Sequence, residues 1–188
     1  LSACLDSLFE DDTSRWEVIV VDNHSQDHTV GVVEETNDPR VKMIKFRNNG
    51  VIGASRNVGI KASYGTYVAF LDSDDSWYHN KLEKIAETIE ADPQAGLICH
   101  NQELVRDDHT VRRTHFGPPP GYRGSMYDYQ LQVGNGPVTS ATVVERRYLD
   151  EVDYFSEEPS LISVEDVDLW IRLSKVCRFR FITEVLGV

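Results

Sequence analysis

Short apolar runs alternate with stretches of helical period through the first hundred residues, and few folds tolerate that rhythm. "WEVIVVD" (16–22) reads as a buried strand ending in an acid, followed by a polar turn and the helix-like "HTVGVVEET". "VKMIKF" (41–46) is a second strand and "GASRNVGIKAS" (53–63) a second helix, before a third strand at "TYVAFLD" (66–72). "HNKLEKIAETIEAD" (79–92) places Leu82, Ile85, Ala86 and Ile89 on one helical face, and "GLICH" (96–100) closes the run. Strands and helices in this order build an α/β domain, expected as a mainly parallel sheet with helices on both faces.

The second half is less regular. "FGPPPGYRG" (116–124) is a turn-rich loop with no place in a sheet interior. "PVTSATVVERRYL" (137–149) reads as a strand entering a short helix, "SVEDVDLWIRLSK" (163–175) as a helix and "FRFI" (179–182) as a last strand. At 188 residues the chain suits a single domain, with residues 1–100 as one half and 101–188 as the other. An α/β sheet ordinarily starts with a strand, whereas "LSACLDSLFE" reads as an amphipathic helix cut open at its beginning. The chain is therefore expected to lack a first strand and a closing C-terminal segment.

Two strands are expected to end in acids, "VIVVD" at Asp22 and "VAFLD" at Asp72, and with Asp74 and Asp75 the second crowds three carboxylates into four positions. Ligands of open α/β sheets bind beyond the carboxyl ends of the strands, so these acids are expected to share a rim. Asp72-x-Asp74 in a turn can converge on one hard divalent cation. Mg²⁺ typically takes only one or two carboxylates, filling its shell with water and phosphate oxygens. Two alternatives stand beside this. Aspartate and serine are ordinary residues of turns and helix caps. "DSDDSWYHNKLE" also has calcium-loop spacing, but Trp77 stands where that loop needs glycine and a strand precedes it.

Charge narrows the partners. The formal net charge is −12, from 31 acidic and 19 basic residues, which argues against a nucleic-acid ligand. An anionic diphosphate remains compatible if a cation lies between it and the acids. The three cysteines, Cys4, Cys99 and Cys177, form no CxxC pair and read as reduced thiols of a cytosolic protein. No apolar run approaches the length of a membrane span. "NNGVIGAS" lacks the GxGxxG of a dinucleotide-binding turn, which makes a dehydrogenase the least favoured reading.

Three stretches taken together, "VIVVDNHSQDHT", "NNGVIGASRNVGIKASYGTYVAFLDSDD" and "SVEDVDLWIRL", resemble successive signatures of the family 2 glycosyltransferases with the GT-A fold. The similarity runs from Leu1 essentially to Val188. It implies a nucleotide-sugar donor with a UDP-sugar favoured, a divalent metal (Mn²⁺ or Mg²⁺), inversion at the anomeric carbon, and a saccharide or lipid-linked acceptor. By the same resemblance Asp22 and Asn23 lie against the nucleotide base; many family members have a second Asp where this chain has Asn23. Asp72 bonds the ribose or a metal-bound water and joins Asp74 at the metal, Asp75 supports the loop, and Arg56 makes a basic contact near the nucleotide.

Asp166 resembles the general base that takes a proton from the acceptor hydroxyl. Glu165, Thr139 and Ser140 fall on the acceptor side. Residue by residue, other readings remain open. Arg56 also reads as a solvated arginine, and Ser163-Val-Glu-Asp166 as a capping box with Asp166 bonded back to the Ser163 amide. Thr139 and Ser140 also read as packed strand residues. Tyr122, Tyr127 and Tyr129 offer stacking surfaces or ordinary packing. The implied role is cytoplasmic assembly of a polysaccharide or glycoconjugate, at the inner face of a membrane if an anchor lies outside this segment. A nucleotidyltransferase and a non-catalytic nucleotide- or carbohydrate-binding fragment are the competing readings.

Overall fold

A computed structural model of the chain describes residues 1–9, 15–105 and 111–188. The opening helix α1 covers Ser2–Phe9; Glu10, the last residue of the expected helix, lies outside the described residues. β1 (Val18–Asp22) and β2 (Val41–Lys45) pair in parallel, from Val18 with Val41 to Asp22 with Lys45, and α2 (Thr29–Glu35) connects them. This two-stranded unit packs with α1 through Leu5, Leu8, Val18, Val20, Val33 and Met43.

A second sheet is built from β3 (Tyr67–Ala69), β4 (Ala95–Val105), β5 (Val111–Thr114), β6 (Thr142–Glu145) and β7 (Arg178–Val185). Its order is β3-β6-β4-β5, with β7 also on β4. The α/β architecture is as expected, but the pairing is mixed rather than mainly parallel. β1–β2 and β4–β7 run parallel, whereas β3–β6, β4–β6 and β4–β5 run antiparallel. Two of the three antiparallel pairings come from β6, which enters between β3 and β4 in the opposite direction, and the third joins the consecutive strands β4 and β5. An apolar run carries no mark of its direction, so the sequence pattern is blind to this reversal.

Pleating sends alternate side chains to opposite faces. Leu97, Cys99 and Val144 point to the face covered by α3 (Ile52–Ala62), α6 (Arg146–Glu151) and α7 (Glu165–Leu173), where they meet Ile60, Leu149, Leu169, Trp170 and Leu173. Ile98 and Val143 point to the other face, onto Ile85 and Ile89 of α4 (Lys81–Ala91). Helices thus cover both faces. A further helix, α5 (Met126–Val133), is capped by the Ser125 hydroxyl, which accepts from the Asp128 amide, and it contributes buried Tyr129. In α7 the wholly buried Leu169, Trp170 and Leu173 recur at three- and four-residue spacing, each burial contributing about 2 kcal/mol.

Candidate active site around Arg56

Two segments fix the height of α3. Its Gly59 lies against Val21 of β1, where an added Cβ would sit 3.4 Å from the valine methyl. Its Gly53 meets the 155–156 segment so closely that a Cβ would stand 2.8 Å from the Ser156 carbonyl oxygen. Buried Asn57 staples the same segment, donating to the Phe155 carbonyl and the Glu157 carboxylate while accepting from the Phe155 amide, each at 2.9 Å. Phe70, Phe155 and Trp170 then pack their rings with centroids 5.3 to 6.2 Å apart, joining the end of β3, the 155 loop and α7.

Arg56 sits on this platform with its guanidinium 5.3 Å above the Phe155 ring. It donates from Nη1 to Glu165 at 2.7 Å and from Nη2 to Asp72 at 2.9 Å. Only 14% of its side chain is exposed, so Arg56 is an embedded ion-pair centre and not a solvated arginine. One cation therefore joins two carboxylates that are 93 positions apart in sequence (165 minus 72).

The polar network continues toward β1. Ser55, next to Arg56, accepts from the Asn48 amide nitrogen Nδ2 at 2.9 Å, and the Asn48 backbone N–H donates to Asn23 Oδ1 at 3.0 Å. Asn48 also caps its own loop by accepting from the Gly50 N–H at 2.9 Å, where Gly50 takes a φ of +85°. Asn23 is thus already engaged through its carbonyl. Asp22 is 4% exposed; its Oδ1 accepts from the Ser25 amide at 2.9 Å, while Oδ2 is buried with no partner. The Ser25 hydroxyl and amide hold the Asp22 carboxyl below the usual carboxylate range.

The acid loop is held from beneath. The Ser140 hydroxyl accepts from the Asp72 N–H at 3.0 Å, and the Ser140 carbonyl receives Trp77 Nε1 at 2.8 Å and Lys81 Nζ at 3.1 Å. Thr139 and Ser140 are both buried, in a short 3-10 turn (Thr139–Ala141) rather than a strand, and it is Ser140 that contacts the loop. Ser76 and Val188 exchange backbone bonds of 2.9 Å, fixing the segment after the acids. Asp74 is exposed. Burial pushes the half-buried Asp75 carboxyl up, aided by the charges of Asp74 and Asp72 and opposed by the Ser140 hydroxyl.

Asp166 stands half-buried in the first turn of α7, beside Glu165. Its Oδ1 accepts from the Val167 N–H at 2.7 Å, and no side-chain bond caps the helix, so the capping box is not formed. The expected face of Leu169, Trp170 and Leu173 is buried, and the acid on it that is buried is Glu165 rather than Asp166.

Among the described residues no three His, Cys, Asp or Glu side chains form a ready-made metal cage. The acid loop does fit a cation that needs one or two carboxylates and takes its remaining ligands from water and phosphate, since Asp74 is open and negative charge accumulates around Asp75. An open hollow of about 300 Å³ lies past the ends of β1 and β2, lined by Asn23, His24, Gln26, Arg47 and Asn49. Apart from Asn23, these residues were not singled out in the sequence; the "NNG" turn and the positive φ of His24 (57°) and Asn49 (53°) are its local marks. Tyr122 and Tyr129 stack edge-on with centroids 5.1 Å apart, Tyr129 buried and bonded to the Gly117 carbonyl, so that pair is packing. Cys4, Cys99 and Cys177 are free thiols, each raised to about 11 or 12 by burial. No helix of the described residues is long and apolar enough to cross a membrane.

Comparison with known proteins adds the lineage. The chain is 37% identical over 176 residues to the Escherichia coli UDP-Glc:alpha-D-GlcNAc-diphosphoundecaprenol beta-1,3-glucosyltransferase WfgD, covering 93% of this chain and 64% of that protein. It is 37% identical over 172 residues to the putative teichuronic acid biosynthesis glycosyltransferase TuaG of Bacillus subtilis, with 90% and 64% covered. The fold matches that of Staphylococcus aureus TarS 1–349 in complex with UDP, at a TM-score of 0.74 and 22% identity, over 99% of this chain and 55% of that one. It also matches the Pyrobaculum calidifontis mannosyltransferase PcManGT in complex with GDP-Man and Mn²⁺, at a TM-score of 0.68 and 18% identity, over 97% and 50%. The chain thus spans about half to two thirds of the length of these four proteins. The profile of the Glycosyl transferase family 2 matches residues 1–153, and the chain belongs to that family.

Proposed function

We propose that this chain carries the catalytic centre of an inverting, metal-dependent glycosyltransferase that moves a sugar from a nucleotide-sugar, a UDP-sugar by preference, to a hydroxyl of a saccharide or lipid-linked acceptor. The observation that carries the reading is Arg56, which ties the acid loop at Asp72 to the helix start that bears Asp166. A donor site and an acceptor site must adjoin for a single displacement, and the Arg56 contact supports the reading by joining the two segments to which they are assigned.

In this reading the unpartnered Asp22 Oδ2 accepts an N–H of the nucleotide base, and Asn23 shapes the turn beside it through Asn48. Asp72 accepts from the ribose or from a metal-bound water. Asp74, with Asp72, would hold Mn²⁺ or Mg²⁺, which when bound neutralises charge building on the leaving diphosphate. Asp166 takes the proton of the acceptor hydroxyl as its oxygen bonds to the anomeric carbon, and the nucleoside diphosphate leaves from the opposite face, which inverts that carbon. Holding the two reactants in line supplies much of the remaining acceleration. In this reading the chain works in polysaccharide assembly at the cytoplasmic face of a membrane; relatives named for a diphosphoundecaprenol acceptor and for teichuronic acid biosynthesis support the polysaccharide role.

The test is Asp166→Asn in the full-length protein. Removing a general base lowers transfer about 10²- to 10⁴-fold, while titration with UDP gives an unchanged affinity. Transfer that persists at the wild-type rate removes Asp166 from the chemistry.

A further inference from the structure

We infer that Glu165 is a positioning residue: by gripping Arg56 it locks the first turn of α7, and with it Asp166, to the donor-side carboxylate Asp72. The inference rests on the roles given above to Asp72 and Asp166 and adds a residue that acts only through others.

Three observations meet at this side chain. The first is what α7 lacks at its start. The residue before it, Val164, offers no side-chain cap, Ser163 takes a φ of +74°, and Asp166 spends Oδ1 on its own neighbour's amide. Of the orphan N–H groups of this helix start, that of Val167 is met by Asp166 and none by a capping side chain, and a start so weakly capped frays readily. The second is the closeness of α3. A Cβ built on Gly53 would lie 3.7 Å from Glu165 Cγ, so the two helix starts touch backbone to side chain. The third is the chemistry of the carboxylate itself. Glu165 is nine-tenths buried, Oε1 is bonded to Arg56 at 2.7 Å, and Oε2 is enclosed with no partner.

A carboxylate taken out of water with one oxygen unmatched costs free energy, and an enclosed ion pair adds little net stability compared with packed hydrocarbon. What it does supply is direction, because a guanidinium bonds in a fixed plane. Arg56 uses one nitrogen for Glu165 and another for Asp72, so the donor loop and the base-bearing turn share one rigid fork. Displacing a reacting group by about an ångström costs on the order of 10²-fold in rate. Holding Asp166 at a fixed distance from the donor is thus a sufficient task for a residue that touches no substrate.

The experiment uses the full-length protein with Glu165→Ala, Glu165→Gln and Arg56→Lys. Hydrogen exchange is followed at the Asp168 and Leu169 amides, the first in α7 with intrahelical partners, against β4 as the internal reference. Glu165→Ala should lower protection at those two amides about tenfold while β4 is unchanged, as expected of local opening. In steady-state transfer it should lower kcat about 10- to 100-fold while the donor KM moves less than about threefold. Glu165→Gln keeps an acceptor for Arg56 and should fall between Ala and wild type, whereas Arg56→Lys, which cannot fork, should reproduce the α7 exchange. Unchanged exchange in α7 overturns the inference, as does a uniform loss across α7 and β4, which marks mere support of the fold. If the wild-type protein transfers no sugar, the functional reading fails, and the exchange still decides the positioning role.

Discussion

Two apolar runs of this protein end in aspartate, and their carboxylates live under opposite electrostatic conditions. Asp22 is enclosed yet settled, because the Ser25 amide and hydroxyl face it and keep it ionised. The 72–75 loop is the reverse. Asp72 has Arg56, but Asp74 is exposed, and burial together with its two acidic neighbours raises the carboxyl of Asp75. The same local pattern, a hydrophobic run and then an acid, thus produces one carboxylate held by hydrogen-bond donors and one loop in which burial and like charge raise a carboxyl. The difference is made by what stands opposite each acid, and those partners come from other parts of the chain.

That contrast can be broken from either end. Asp22→Asn removes the charge facing the proposed base and should weaken UDP about tenfold, the scale of one hydrogen bond to an ionised group. The loss should be equal in Mn²⁺ and in EDTA; a loss confined to Mn²⁺ would erase the distinction between the two ends. Asp75→Asn is the smaller change. Because the folded carboxyl is raised, the native state holds its proton to a higher pH than the unfolded chain does. Stability is therefore unaffected below the ordinary carboxylate range and falls as pH rises through the raised value. Asn should add about 0.5 kcal/mol at neutral pH and nothing in acid. Denaturant titrations at two pH values check this, and equal gains at both would show that crowding of charge is not the cause.

Much of the frame was readable locally. α4 was marked by Leu82, Ile85, Ala86 and Ile89, and Ile85 is indeed in the core. Strands β1 and β2 announced themselves as apolar runs, with ends within two residues of the expected ones, whereas β3, expected over 66–72, ends at Ala69, so Asp72 lies three residues past the strand and not at its end. What was not readable depends on distance in sequence. β4 was expected at 96–100 and extends to Val105 because β5 pairs with its second half. Lys81 looks like a solvated first-turn residue, yet it is wholly buried, its ammonium 3.3 Å from the Trp77 ring centroid and bonded to the Ser140 carbonyl. His100, in the same interior, is pushed down to about 3 by burial and by the charge of Lys81. Arg56 could be placed near a nucleotide by resemblance, but nothing in "GASRNVG" announces partners 16 and 109 positions away. Of the two adjacent acids in "VEDVD", only geometry separates the enclosed Glu165 from the half-open Asp166.

The central claim is that crowded acids after β3 bind a diphosphate through a cation. Calorimetric titration of the full-length protein with UDP, in Mn²⁺ and then in EDTA, tests it directly, with Asp74→Ala as the matched variant. The account predicts that Mn²⁺ tightens UDP about 100-fold, a difference of about 2.7 kcal/mol, and that Asp74→Ala abolishes that gain. Equal affinity in Mn²⁺ and EDTA for the wild-type protein would contradict it.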